Sequence, residues 1–135
     1  MKESEARELI VEMARSMFER RLTFGSSGNI SVKIDGGWLM TPTGSSLGRL
    51  DPARLSKLDE SGKLVSGDAP TKESFLHLAM YRERNDAGAV VHLHSTHSVA
   101  VSCLDGIDHD DVLPPITAYY VMRVGRTAIV PCFRP

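Results

Sequence analysis

Disulfide chemistry has almost no footing in this sequence. Its two cysteines, Cys103 and Cys132, lie far apart and neither belongs to a CxxC pair. They read as free thiols of a reducing compartment. An excess of charge of one sign is also missing. Sixteen Lys and Arg against seventeen Asp and Glu leave a formal net charge of −1, which argues against nucleic acid as a partner. No apolar run approaches the roughly 20 residues of a membrane span. The first twenty residues carry several charges and no continuous apolar stretch, so neither a membrane anchor nor a secretory leader is expected. Repeats and low-complexity tracts are absent.

What is present is ordinary. With 135 residues, 41% hydrophobic and 24% charged, the chain suits one globular domain, able to bury a core without staples. The chain stops at Val130-Pro131-Cys132-Phe133-Arg134-Pro135, straight after an expected strand, which reads as the edge of a longer protein.

Apolar spacing orders the chain into elements. Ala6, Leu9, Ile10, Met13, Met17 and Phe18 recur at helical intervals and predict an amphipathic helix over residues 3–22. After a polar glycine-bearing loop, Ile30, Val32 and Ile34 alternate with Ser31 and Lys33, the period of a half-buried strand. Asp35-Gly36-Gly37 turns the chain into a returning strand over 38–41. Asp51-Pro52 starts a short helical turn, and residues 59–62 form a hairpin turn before Leu64 and Val65. Thr71 is a plausible cap for a second helix, with Phe75, Leu78, Ala79 and Arg82 on one side. Residues 89–94 read as a strand, Ser95 or Thr96 as the cap of a third helix, residues 114–126 as partly helical and 127–130 as a strand. Strands that alternate with helices, together with hairpins, predict a mixed α/β domain rather than a doubly wound parallel one.

Three features could carry chemistry. His92 and His94 stand two apart on an expected strand, so both imidazoles share one face. Two neighbouring neutral imidazoles suit Zn²⁺ or a similar ion, although a bare HxH is as easily a pair of hydrogen-bonded strand-end residues. His77, His97 and His109 read more simply as core or surface residues. Glu73 sits in the first turn of a helix, where the dipole alone favours a carboxylate; near a metal it could instead be a ligand or proton shuttle. Gly28-Asn29, Thr43-Gly44 and Thr71-Lys72 are polar turns beside strand or helix ends, a composition that can cradle a phosphate, and that loops also use routinely.

Taken together, Ser27-Gly28-Asn29-Ile30-Ser31, Thr41-Pro42-Thr43-Gly44, Glu73 after Pro-Thr-Lys, and Ala89-Val90-Val91-His92-Leu93-His94 resemble the class II aldolase/adducin family over almost the whole chain. The resemblance implies a single α/β domain over residues 1–135, a three-layer αβα arrangement with a mixed central sheet. It also implies a cytoplasmic homotetramer with the active site at a subunit boundary. It makes His92 and His94 two of three metal-binding histidines, with zinc the expected ion. The third histidine would lie beyond residue 135, since neither His97 nor His109 matches its place. Glu73 becomes an acid/base that can also sit on the metal, and Gly28, Asn29, Thr43, Gly44, Thr71 and Lys72 the holders of a substrate phosphate. Tyr120, with Tyr119 next, matches a proton-donating tyrosine supplied by a neighbouring subunit.

Within the family, residues 118–126 and 131–135 resemble the 3-oxo-tetronate 4-phosphate decarboxylases. That implies metal-dependent loss of CO₂ from a four-carbon sugar-acid phosphate through an enediolate, leaving dihydroxyacetone phosphate. A fuculose-phosphate-type aldolase or a sugar-phosphate 4-epimerase would use the same metal site, and an adducin-like head would be a non-catalytic interaction module.

Overall fold

The computed structural model describes residues 1–128. These divide into two compact units, the first ending at His94 and the second starting at Ser95. The first unit contains helix α1 (Glu3–Glu19), strands β1 (Asn29–Ile34), β2 (Gly37–Met40), β3 (Ser56–Asp59) and β4 (Leu64–Ser66), helix α2 (Ser74–Glu83) and strand β5 (Ala89–His92). The strands form one sheet in the order β4-β3-β2-β1-β5. Every pairing among the described residues is antiparallel.

The pleat of β1 sorts its side chains between two helices. Ile30, Val32 and Ile34 point to one face, where they join Leu39 and the buried side of α1, Ala6, Ile10 and Ala14. Leu47, Leu50 and Leu55 close this core from the turns that follow β2. Ser31 points to the other face and meets His77 and Tyr81 of α2. Register puts Met40, opposite Ser31, and Trp38, opposite Lys33, on that same side. Trp38 stacks on Tyr81 with ring centroids 6.1 Å apart. Helix, sheet and helix thus make three layers, an α/β arrangement.

Local details depart from the expected ones. On α1 the inward stripe is Ala6, Ile10 and Ala14, while Leu9 and Met13 are exposed. Small alanines let the helix approach the sheet closely, so the core selects the alanine side over the larger residues. On α2 the buried residues are His77 and Tyr81, one turn apart, and Phe75 is exposed. Here hydrogen-bonding partners across the sheet outweigh hydrophobicity. The residue at the N-cap position of α2 is Glu73, not Thr71, and its side chain makes no capping bond; the Thr71 hydroxyl accepts from the Glu73 backbone N–H in the preceding turn.

The second unit contains α3 (Thr96–Ser102), capped by the Ser95 hydroxyl, and α4 (Ala118–Arg123), capped by Thr117. Thr127 and Ala128 are not in a strand. The rest of that expected strand, Cys132 and the Pro131–Pro135 motif lie outside the described residues. Among the described residues no helix is long and apolar enough to cross a membrane.

Helix α1 is tied to the sheet by charge as well as packing. One Glu3 carboxylate oxygen accepts from Arg7 and the other from Lys57 Nζ at 2.8 Å. Arg7 also donates to the Pro52 and Leu55 carbonyl oxygens. Lys57, then Arg7, hold the Glu3 carboxyl below its ordinary pKa. A depressed carboxyl stabilises the fold above its unfolded pKa and loses that contribution as pH falls through the folded value. Glu3→Gln should therefore cost a few tenths to about 1 kcal/mol at neutral pH. The difference from wild type should vanish in urea titrations at acid pH, once the carboxyl is protonated in both states.

Candidate metal and phosphate site

The site grows from one strand pairing. In the antiparallel β1–β5 ladder Asn29, the first residue of β1, lies opposite His92, the last of β5. Directly opposed residues share a face, so both project toward the α2 side. There the chain entering α2 brings Glu73 over them. The Glu73 side chain makes no capping hydrogen bond to its own helix. One of its oxygens instead accepts from Asn29 Nδ2 at 2.5 Å and from His92 Nδ1 at 2.9 Å. The helix-dipole account of this glutamate leaves that orientation unexplained.

Strand β5 ends at His92, so His94 lies in the segment beyond it. The expected two-residue alternation on one strand therefore does not apply. The imidazoles still come together, with ring centroids 4.9 Å apart and planes tilted by 43°. One ligand atom each from Glu73, His92 and His94 lies within 4.8 Å of the others. A carboxylate and two imidazoles converging from partly open positions form a donor set suited to a divalent first-row ion. The expected site is thus brought together, among the described residues, without His97 or His109.

Electrostatics agree with that use. Partial burial would raise the Glu73 carboxyl, but the Asn29 amide and the two imidazoles outweigh burial and hold its pKa below the ordinary value. The carboxylate is therefore ionised at neutral pH.

Gly28, Asn29, Thr43, Gly44, Thr71 and Lys72 all line one cavity of about 250 Å³, with Glu73 and His94 at its wall. Backbone bonds lace its two loops together: Thr71 N–H donates to the Thr41 oxygen, and Thr43 N–H to the Ala69 oxygen. Gly44 has φ +67° with open space around it, a conformation that strongly favours glycine. A larger cavity of about 470 Å³ adjoins at Thr43 and Gly44 and is bordered by Arg49 and by Arg54, which is paired with Asp68. It contains none of the metal-ligating groups.

A family profile described as the class II aldolase and adducin N-terminal domain matches residues 8–135. The chain belongs to that family. Among curated class II aldolase relatives, the 3-oxo-tetronate 4-phosphate decarboxylase of Haemophilus influenzae is 52% identical over 130 residues, 96% of this chain and 62% of that protein. The L-fuculose phosphate aldolase of Methanocaldococcus jannaschii is 35% identical over 115 residues, 85% of this chain and 62% of that protein. The solved structure of Escherichia coli YgbL superposes with a TM-score of 0.91 at 49% identity, covering 98% of this chain and 65% of that one. The chain thus spans about six tenths of the length of these class II aldolase relatives.

Tyr120 belongs to the second unit, where its hydroxyl is hydrogen-bonded to Thr127 Oγ1 at 2.7 Å. From sequence alone His77 reads as a core or surface histidine; the structure puts it beside the site. His77 is fully buried and bonds Asn29 Oδ1 through Nε2. Burial above all, then the nearby His92, lowers its pKa to about 4, so the ring is neutral. The signal available was the four-residue spacing of His77 and Tyr81, which puts two polar aromatic groups on one helix face.

Gly28 holds the strand pair at the site together. Its φ is +79°, and a Cβ there would stand 3.0 Å from both the His92 carbonyl oxygen and Leu93 Cδ2. Gly28→Ala should cost about 1–2 kcal/mol for the left-handed backbone alone. The same variant should bind divalent metal more weakly by calorimetric titration, because the added methyl pushes against the His92 backbone.

Proposed function

We propose that the protein is a divalent-metal carbon–carbon lyase, specifically a decarboxylase of 3-oxo-tetronate 4-phosphate. The observation that carries this reading is the pairing of similarity with geometry. The chain is 52% identical to a relative of that name against 35% to an aldolase, and it has the converging Glu73, His92 and His94. That donor set argues against a non-catalytic adducin-like head.

Glu73, His92 and His94 hold the ion, which we take to be zinc. Catalytic zinc sites usually have three protein ligands; with the third histidine that the family resemblance implies, Glu73 would be free to act as the acid/base. When bound, the ion supplies the positive charge that stabilises the oxygen anion left as CO₂ departs. The cavity walls at Gly28, Asn29, Thr43, Gly44, Thr71 and Lys72 hold the phosphate and so position the reacting carbons.

Loss of CO₂ from the 3-oxo acid breaks the C1–C2 bond and leaves its electron pair in an enediolate. Protonation at C2 then gives dihydroxyacetone phosphate. Glu73 is ionised at rest, so it can deliver that proton only after taking one from solvent, the proton that loss of CO₂ from a carboxylate consumes overall. Tyr120 from a neighbouring subunit is the alternative donor, in a cytoplasmic homotetramer with its sites at subunit boundaries. An aldolase would reach the same enediolate by cleaving a C–C bond to an aldehyde, so the shared residues serve either reaction.

The natural protein, given 3-oxo-tetronate 4-phosphate, should release CO₂ in a chelator-sensitive way and form no aldol product from dihydroxyacetone phosphate plus a short aldehyde. Aldol product without CO₂ would move the function to the aldolase. His92→Ala should abolish activity and metal content together; retained metal in that variant would remove the ligand assignment.

A further inference from the structure

Beneath the Glu73–His92 pair runs a line of buried polar groups of which only Asn29 has a role in the proposed reaction. Asn29, Ser31, His77 and Tyr81 are each no more than 6% exposed. Tyr81 Oη lies 2.9 Å from Ser31 Oγ, and Ser31 Oγ lies 2.7 Å from His77 Nδ1. His77 Nε2 lies 2.5 Å from Asn29 Oδ1, and Asn29 Nδ2 lies 2.5 Å from Glu73 Oε2. The line crosses from α2 to β1, back to α2, to β1 again and out to the site.

Each hydrogen's place follows from the one before it. An ionised carboxylate only accepts, so the end of Asn29 that meets Glu73 is the amide nitrogen. The other end, Oδ1, also only accepts, so His77 Nε2 bears the ring hydrogen. The neutral ring then accepts at Nδ1 from the Ser31 hydroxyl, whose oxygen is left to accept from Tyr81. Reversing the Asn29 amide would set a carbonyl oxygen against the part-buried carboxylate, a repulsive contact.

We propose that His77 is a positioning residue that braces the Asn29 amide in the polarity Glu73 requires. By holding the carbonyl oxygen from behind, it leaves both Asn29 N–H groups for the Glu73 side. One is used by the carboxylate and the second is available to an anionic substrate oxygen in the cavity that Asn29 lines. The Ser31 hydroxyl, donating to Nδ1, and Tyr81, donating to Ser31, accommodate this tautomer. A carboxylate that can ligate a metal is commonly oriented by such outer partners, whose loss weakens metal binding or activity. The use made of the second N–H rests on the proposed function; the polarity itself does not.

The test uses the natural protein. Nitrogen-15 NMR of the imidazoles should find His77 with its hydrogen on Nε2, in apo and metal-loaded samples alike; a hydrogen on Nδ1 overturns the proposal whatever the activity. His77→Gln, whose amide N–H can stand where Nε2–H stands, should keep kcat and metal affinity within about threefold of wild type, whereas His77→Leu should lower them about ten- to a hundredfold. In an Asn29→Ala background, His77→Leu should add little further loss, because the residue acts through Asn29. An undiminished effect in that background, or a Gln variant as impaired as the Leu variant at equal melting temperature, reduces His77 to a packing role and defeats the inference. If His77→Leu fails to fold, the tautomer and the Gln variant still decide. A protein with neither decarboxylase nor aldolase activity would sink the functional reading alone, since the tautomer and metal affinity are read without turnover.

Discussion

The register between β1 and β5 is the constraint on which the site depends. It sets Asn29 opposite His92, and every other contact at the cluster follows from that pairing. A slip of one residue in β5 would turn His92 to the α1 face, toward the packed core of Ile30, Val32 and Leu39. Two features guard against it. Hydrophobic alternation along β1 commits one face to burial, and Gly28 lets the chain before β1 pass close to the His92 carbonyl without a clashing Cβ.

The two helices then divide the labour. Helix α1 closes an apolar core and is tied to the sheet through Glu3, Arg7 and Lys57. Helix α2 covers a face that is partly polar. Its buried histidine and tyrosine would be costly without partners, and Ser31 and Asn29 supply them. The polar network that satisfies α2 is continuous with the carboxylate at its start. Stability of this layer and orientation of Glu73 therefore rest on the same hydrogen bonds.

The cluster also shows how a helix start can serve chemistry without capping. Glu73 stands at the capping position of α2 yet turns its carboxylate to Asn29 and His92. A short turn, with the Thr71 hydroxyl accepting from the Glu73 N–H, shapes the approach to the helix. The same turn brings Thr71 and Lys72 to the cavity shared with Thr43 and Gly44. Charge-bearing groups and small polar loops thus meet at one end of the sheet.

By itself the sequence determined the elements whose signal is local. The alternation of Ile30, Val32 and Ile34, the glycine turns, the two-residue spacing of His92 and His94 and the motifs around Asn29 and Glu73 were enough for the α/β class and for naming the three residues that the structure brings together, Glu73, His92 and His94. Tertiary structure alone decided which side of each helix is buried. Ala14 replaces Met13 because close approach to the sheet favours a small side chain, and His77 replaces Phe75 because Ser31 and Asn29 wait across the interface. It also decided that His94 reaches His92 from beyond the strand end. Neither outcome has a local signature, because the deciding partners lie 46 and 48 residues away for His77 and 44 residues away for Glu73. Periodicity reports which residues share a face; only the folded chain determines what that face meets.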